Sequence, residues 1–222
     1  MKNNRILILT GGHSSFDFVS EYLISEEFTT VIAVDRGLMV ADKLDIPINY
    51  VVGDFDSVPE YVLDKYRNIN RINNDFQIME YNPVKDSTDT HIALNLAMDL
   101  PCDEIVILGG TGTRIDHVLA NIQLLQIPLE KGVKTIILDE HNKIYLINNR
   151  ITLRKDKLHG DYISLIPYTE KVMNVTLEGF KYPLYNKTLV LGDSLGISNE
   201  IISDEANILL DSGTLIVIES RD

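Results

Sequence analysis

Two short acidic segments carry the residue types best suited to chemistry, Gly53-Asp54-Phe55-Asp56-Ser57 and Lys85-Asp86-Ser87-Thr88-Asp89. In extended backbone, residues i and i+2 point to one side. Asp54 and Asp56 therefore present two hard oxygen ligands together, the kind magnesium accepts while it keeps waters and substrate phosphates. Gly53 removes a side chain where a ligand approaches closely. The same residues equally suit a loop of Asx-turns, with Ser57 capping a helix that begins near Pro59. Asp89 reads either as a third metal carboxylate or as an acid complementing a helix dipole. Beside it, Lys85 can neutralise phosphate and Thr88 can donate a hydrogen bond. Free N–H groups at a helix start also favour an anion.

A third segment, Gly109-Gly110-Thr111-Gly112-Thr113-Arg114-Ile115-Asp116-His117, follows an apolar run and opens a helical pattern. Glycines let backbone N–H groups approach phosphate, and Arg114 offers a planar cationic fork. Asp116 orients Arg114, meets a ribose or favours the helix dipole; His117 contacts nucleotide or packs as a hydrogen-bonded histidine. The segment is no P-loop, since the closing Gly-Lys-Ser/Thr is missing. His13, His91, His141 and His159 show no metal-ligand spacing and read as structural or solvent-facing. No His-Glu-x-x-His, cysteine pair or Gly-x-Ser-x-Gly elbow supports zinc or serine-hydrolase chemistry.

These segments need elements to position them. Ile6–Leu9, Val31–Val34, Tyr50–Val52, Ile105–Leu108 and Thr135–Leu138 are continuous apolar runs that end in Gly or Asp. Such runs suit parallel strands covered on both faces. Ile92, Ala93, Leu96, Ala97 and Leu100 recur at helical spacing, with Asp86 or Ser87 as N-cap. Ile115, Val118, Leu119, Ile122 and Leu125 do the same. The alternation predicts an α/β domain with a mostly parallel sheet over 1–140, its ligands beyond the carboxyl ends of the strands.

Over 141–222 the pattern becomes all-β, a sandwich or barrel of short strands. Asn148-Asn149 reads as a hairpin turn between 143–147 and 150–153, and Asp211-Ser212-Gly213 as another between 207–210 and 214–218. Tyr162–Ile166, Val172–Leu177, Thr188–Leu191 and Glu200–Ser203 are further predicted strands.

The formal charge of −13 over 222 residues argues against a nucleic-acid partner. It also means that a polyphosphate ligand needs a metal or well-placed cations to offset repulsion. No apolar stretch reaches the length of about 18 residues that a membrane span needs. The short apolar run after Arg5 is no signal peptide. One cysteine, Cys102, excludes an internal disulfide framework and makes a reducing cytoplasm the expected compartment.

The succession Asp35-Arg36-Gly37, Gly-Asp-Phe-Asp-Ser, Lys-Asp-Ser-Thr-Asp and Gly-Gly-Thr-Gly-Thr-Arg-Ile-Asp-His, followed by Gly196-Ile197-Ser198-Asn199-Glu200 in the β-rich tail, resembles the thiamine pyrophosphokinase family. The resemblance covers nearly the whole chain. It implies transfer of a pyrophosphoryl group from ATP to the hydroxyethyl group of thiamine, giving thiamine diphosphate and AMP. It also implies an α/β ATP- and magnesium-binding domain (1–140), a thiamine-binding β-sandwich (141–222), and a homodimer with its active sites at the subunit interface. Carried over by motif, Asp54, Asp56 and Asp89 hold Mg2+. Asp35, Lys85, Thr88, Arg114, Asp116 and His117 contact ATP, and Arg114 joins the three metal aspartates in catalysis. Ser198 and Asn199 meet the aminopyrimidine of thiamine.

Two positions depart from the family pattern, Arg36 and Thr113, each where a glycine is usual. The chain also has no tryptophan, so any aromatic contact with thiamine must come from Phe or Tyr. The rival readings are a related diphosphokinase acting on a pterin alcohol and a non-catalytic sensor of nucleotide or thiamine diphosphate.

Overall fold

The computed structural model describes residues 4–82 and 86–222. The chain divides into two compact units, Met1–Glu140 and His141–Asp222.

In the first unit, β1 (Arg5–Leu9), β2 (Thr30–Val34), β3 (Tyr50–Gly53), β4 (Gln77–Glu80), β5 (Glu104–Leu108) and β6 (Lys134–Leu138) lie in the order β4-β3-β2-β1-β5-β6. Every pairing among them is parallel. The apolar runs of β1, β2, β5 and β6 are buried almost throughout, as strands covered on both faces must be. Helices α1 (Phe16–Ser25), α2 (Gly37–Lys43), α3 (Glu60–Asn73), α4 (Asp89–Asp99), α5 (Ile115–Leu124) and the short α6 (Gln126–Glu130) connect them. β4 carries no apolar run and goes unseen in the sequence; as an edge strand it needs only one bonded neighbour.

The chain order reverses between β1 and β5. A crevice at the carboxyl ends of neighbouring strands forms at such a switch point. Here the loops that follow the two strands interlock. The Gly12 N–H donates to Gly109 O (3.0 Å), the His13 N–H to Thr111 O (2.8 Å), and the Thr10 hydroxyl to Gly109 O (2.8 Å). A β-carbon on Gly12 would overlap both carbonyl oxygens that accept these N–H bonds. Gly12 and Gly109 thus serve backbone-to-backbone approach, a demand that phosphate binding need not be invoked to explain.

The second unit contains β7 (Asn142–Ile147), β8 (Ile151–Arg154), β9 (Tyr162–Pro167), β10 (Lys171–Glu178), β11 (Leu184–Val190), β12 (Glu205–Leu209) and β13 (Leu215–Ser220). β13 pairs antiparallel with β7 and β9. β11-β10-β12-β8 form a second antiparallel sheet. Ile147, Leu165, Val217, Leu177, Leu189 and Ile208 bring both sheets to one core, which makes this unit a sandwich.

Neither expected hairpin forms. β7 pairs with β13 while β8 pairs with β12, so Asn148-Asn149 carries the chain from one sheet to the other. The segment Asp211-Ser212-Gly213 does the same between β12 and β13. Crossing lets Ile147 and Leu153, or Ile208 and Leu215, face the same core from opposite sides, which a two-stranded ribbon would not. Gly213 is required there, with φ +93 and a β-carbon position against Lys171 O. Glu200–Ser203 is no strand; it contributes a single bridge, Phe180 to Ile201.

Candidate active site

Three carboxylates, those of Asp35, Asp54 and Asp89, act on one another in the first unit. Asp35 follows β2 in the left-handed region (φ 46), and Phe55, just past β3, is left-handed too (φ 62). Non-glycine residues held there store strain, and such residues concentrate at functional sites. The Asp35 N–H donates to Val52 O (3.0 Å), and the Phe55 N–H donates to Asp35 Oδ1 (3.4 Å). These bonds tie the end of β2 to the end of β3. A β-carbon on Gly53 would overlap Asp35 Oδ1, so this glycine is needed for the close approach of a neighbouring carboxylate.

The Asp35 carboxyl is pushed up to about 7. Burial is the main cause, followed by the Asp89 charge and partly opposed by the Phe55 N–H; a hydrogen bond with Asp89 and the Asp54 charge add to the rise. Asp35, Asp54 and Asp89, from three different strand or helix ends, therefore share one acidic locus. Asp56 lies exposed, and its N–H donates to Asp54 Oδ1 (3.2 Å), the Asx-turn that the sequence allowed. Among the described residues no three acidic, histidine or cysteine side chains converge in metal-ligand geometry. The donor chemistry nevertheless fits a divalent cation, because such an ion would offset both the burial and the neighbouring Asp89 and Asp54 charges that hold a proton on Asp35.

Thr88 is the N-cap of α4, its hydroxyl accepting from the His91 N–H (3.3 Å) in place of the expected Asp86 or Ser87. Capping occupies an acceptor lone pair and leaves the hydroxyl a proton to donate. Asp89 is the first residue of that helix. Lys85 lies outside the described residues. No side chain caps α3; its N-cap is Pro59, and Ser57 is an exposed turn residue. Proline takes the place because its missing N–H is one the helix start would leave unpaired.

Arg114 precedes α5, and its fork donates twice to Asp116, through Nε (3.3 Å) and a terminal nitrogen (2.6 Å). Of the roles open to Asp116, the structure shows the first: it orients Arg114. That hydrogen-bonded partner holds Asp116 below the usual carboxylate range and raises Arg114. His117 is exposed in the same turn. Thr113 keeps a negative φ, so the β-carbon it adds to the loop costs no backbone strain. Arg36 is also accommodated, its side chain exposed, while the adjacent Gly37 is the position that admits no β-carbon, against Leu9 O.

The sequence did not single out Asp139 and Glu140, at the end of β6. Buried Asp139 accepts from the Thr111 hydroxyl (2.6 Å), while Glu140 accepts from the Ser15 N–H (3.1 Å) and pairs with His13 (3.3 Å). The available signal was an acid at the carboxyl end of a predicted strand.

In the second unit, Gly196 to Asn199 lies along the edge of β9. The Leu165 N–H donates to Gly196 O, and Ile163 and Asn199 exchange both backbone bonds. A β-carbon on Gly196 would overlap Leu165 O. Between these ties Ser198 is left-handed (φ 53) and exposed, its N–H donating to the Ser164 hydroxyl (3.0 Å). Asn199 is only 5% exposed. Its carboxamide oxygen accepts from the N–H groups of Tyr182 (3.0 Å) and Glu200 (2.9 Å), and its nitrogen donates to Tyr182 O (2.8 Å). Tyr182 itself is 59% exposed. No sequence pattern marked it, because its link to Asn199 spans 17 residues.

Residues 22–137 match the family description "Thiamin pyrophosphokinase, catalytic domain", and residues 148–215 match "Thiamin pyrophosphokinase, vitamin B1 binding domain". The chain is 38% identical over 200 residues to the thiamine pyrophosphokinase of Bacillus subtilis, covering 89% of this chain and 90% of that one. This chain belongs to the thiamine pyrophosphokinase family. The crystal structure of the Bacillus subtilis thiamine pyrophosphokinase superposes with a TM-score of 0.86 at 34% identity, covering 99% of this chain and all of that one (100%). That of the Geobacillus thermodenitrificans thiamin pyrophosphokinase gives 0.82 at 30%, covering 98% of each. The acidic locus falls within the stretch matching the family's catalytic domain, and Tyr182, Ser198 and Asn199 fall within the vitamin B1 binding match.

Proposed function

We propose that this chain transfers the pyrophosphoryl group of ATP to the hydroxyethyl oxygen of thiamine, giving thiamine diphosphate and AMP. The observation that carries the reading is the gathering of Asp35, Asp54 and Asp89 at strand and helix ends, in a member of this family. Attack at the β-phosphorus asks for charge neutralisation and in-line positioning more than for a covalent catalyst. Asp54, Asp56 and Asp89 would hold Mg2+, with Asp35 beside them. When bound, the ion supplies positive charge to the phosphate oxygens.

The remaining roles belong to the chain's own side chains. Arg114, whose fork donates twice to Asp116, stabilises charge developing on the phosphates. Lys85, Thr88, Asp116 and His117 complete the nucleotide contacts, with Thr88 donating while it caps α4. Ser198 offers its hydroxyl to the aminopyrimidine, and the exposed ring of Tyr182 is the aromatic surface offered to thiamine. The acidic protein suits a substrate whose thiazolium carries a fixed positive charge. The active form is a homodimer with its active sites at the subunit interface, working in the cytoplasm.

Incubation with ATP, magnesium and thiamine tests this. Thiamine diphosphate and AMP are expected in equal amounts; ADP in place of AMP, or turnover of a pterin alcohol but not thiamine, would overturn the proposal.

A further inference from the structure

We infer that Asn199 is a positioning residue for thiamine, acting through Tyr182, and not a direct contact. This rests on the proposed function and deepens it at one residue. The carboxamide is buried, and three of its bonds are spent on backbone, two of them on the N–H and C=O of the same residue, Tyr182. One amide that both accepts from and donates to a single residue fixes that residue's peptide planes, and so the direction in which its side chain leaves the backbone. The ring that leaves there is exposed. The Lys181 ammonium stands 5.7 Å from its centroid and donates to Glu200 Oε1 (2.6 Å). The ring therefore already has a cation nearby, at the distance over which an aromatic face attracts positive charge.

Asn199 also immediately follows Ser198, whose N–H is held by Ser164. A single buried side chain thus sets the spacing between an exposed hydroxyl and an exposed aromatic ring. Only a carboxamide does this, since the site needs an acceptor for two N–H groups and a donor for one carbonyl. An aspartate in the same place keeps the accepted bonds and sets a carboxylate oxygen against Tyr182 O.

The test is a double-mutant cycle on the intact enzyme, with KM for thiamine and for ATP measured separately. Asn199→Ala and Tyr182→Ala are each expected to raise the thiamine KM about tenfold, with the ATP KM changed less than about twofold. The double variant should fall within about twofold of Tyr182→Ala, because residues acting as one unit are not additive. Effects that multiply, or an ATP KM that moves equally, would overturn the inference. Asn199→Asp serves if the alanine variant does not fold: a thiamine KM raised severalfold supports the inference, and an unchanged one overturns it. Thiamine binding by calorimetry separates the two levels of claim. Wild-type protein that binds no thiamine overturns both the inference and the function beneath it; binding that Asn199 variants leave unchanged overturns the inference alone.

Discussion

At the scale of single residues, the acidic locus is a balance between like charges and the backbone that forces them together. Asp35 retains its proton up to about pH 7 because burial and the Asp89 charge outweigh the Phe55 N–H. Replacing Asp89 or Asp54 by alanine removes one of the charges. Each variant is expected to lose magnesium-dependent AMP formation while the protein stays folded, because relieved repulsion offsets the hydrogen bond that each aspartate makes, Asp89 with Asp35 and Asp54 with the Asp56 N–H. Undiminished turnover in both would remove the proposed metal site. Gly53 makes a separate demand. Gly53→Ala sets a methyl against Asp35 Oδ1. Overpacking of this kind costs about 1–3 kcal/mol, and misplacing a catalytic group by about 1 Å costs on the order of a hundredfold in turnover. Thermal melts and kcat for that one variant check both expectations.

At the scale of elements, the strand ends opposite the site are pinned by charge. Glu104 at the start of β5 accepts from Arg5 Nε of β1 (2.5 Å) and pairs with Lys134 of β6 (2.5 Å). Burial alone would raise its pKa, yet Lys134 and Arg5 together hold it below the usual carboxylate range. A carboxyl depressed in the folded state stabilises the fold above its unfolded pKa of about 4.3. That stability is lost as pH falls through the folded value. Glu104→Gln should flatten the acid limb of a stability-versus-pH curve below about pH 5. It should also lower stability at neutral pH, where it leaves Lys134 without this partner. Denaturant midpoints across that range decide; parallel curves for the two proteins would refute the role. The same scale explains α5. Ile115 and Leu119 recur at helical spacing with Val118 and Ile122, yet are 64% and 55% exposed. Spacing finds the helix, but not which part of the stripe the domain covers.

At the scale of the whole molecule, a homodimer is the proposed working form. Sedimentation is expected to give twice the chain mass at concentrations where the enzyme is active, and full activity from a monomer would refute it. Among the described residues no helix is long and apolar enough to cross a membrane. Much of this protein is local chemistry and so was legible in the chain itself. Buried parallel strands announce themselves as unbroken apolar runs; Asp54 follows such a run, and Asp89 and Arg114 stand at helix starts, in family order. Other features depend on partners far away in sequence. Asp35 joins the acidic locus because Gly53 and Phe55 let β2 and β3 end side by side. Asn148-Asn149 is a crossing between sheets because both faces must reach one core. Asn199 turns inward and holds Tyr182 because a buried carboxamide must satisfy its hydrogen bonds, and only the folded chain brings it the backbone that does so.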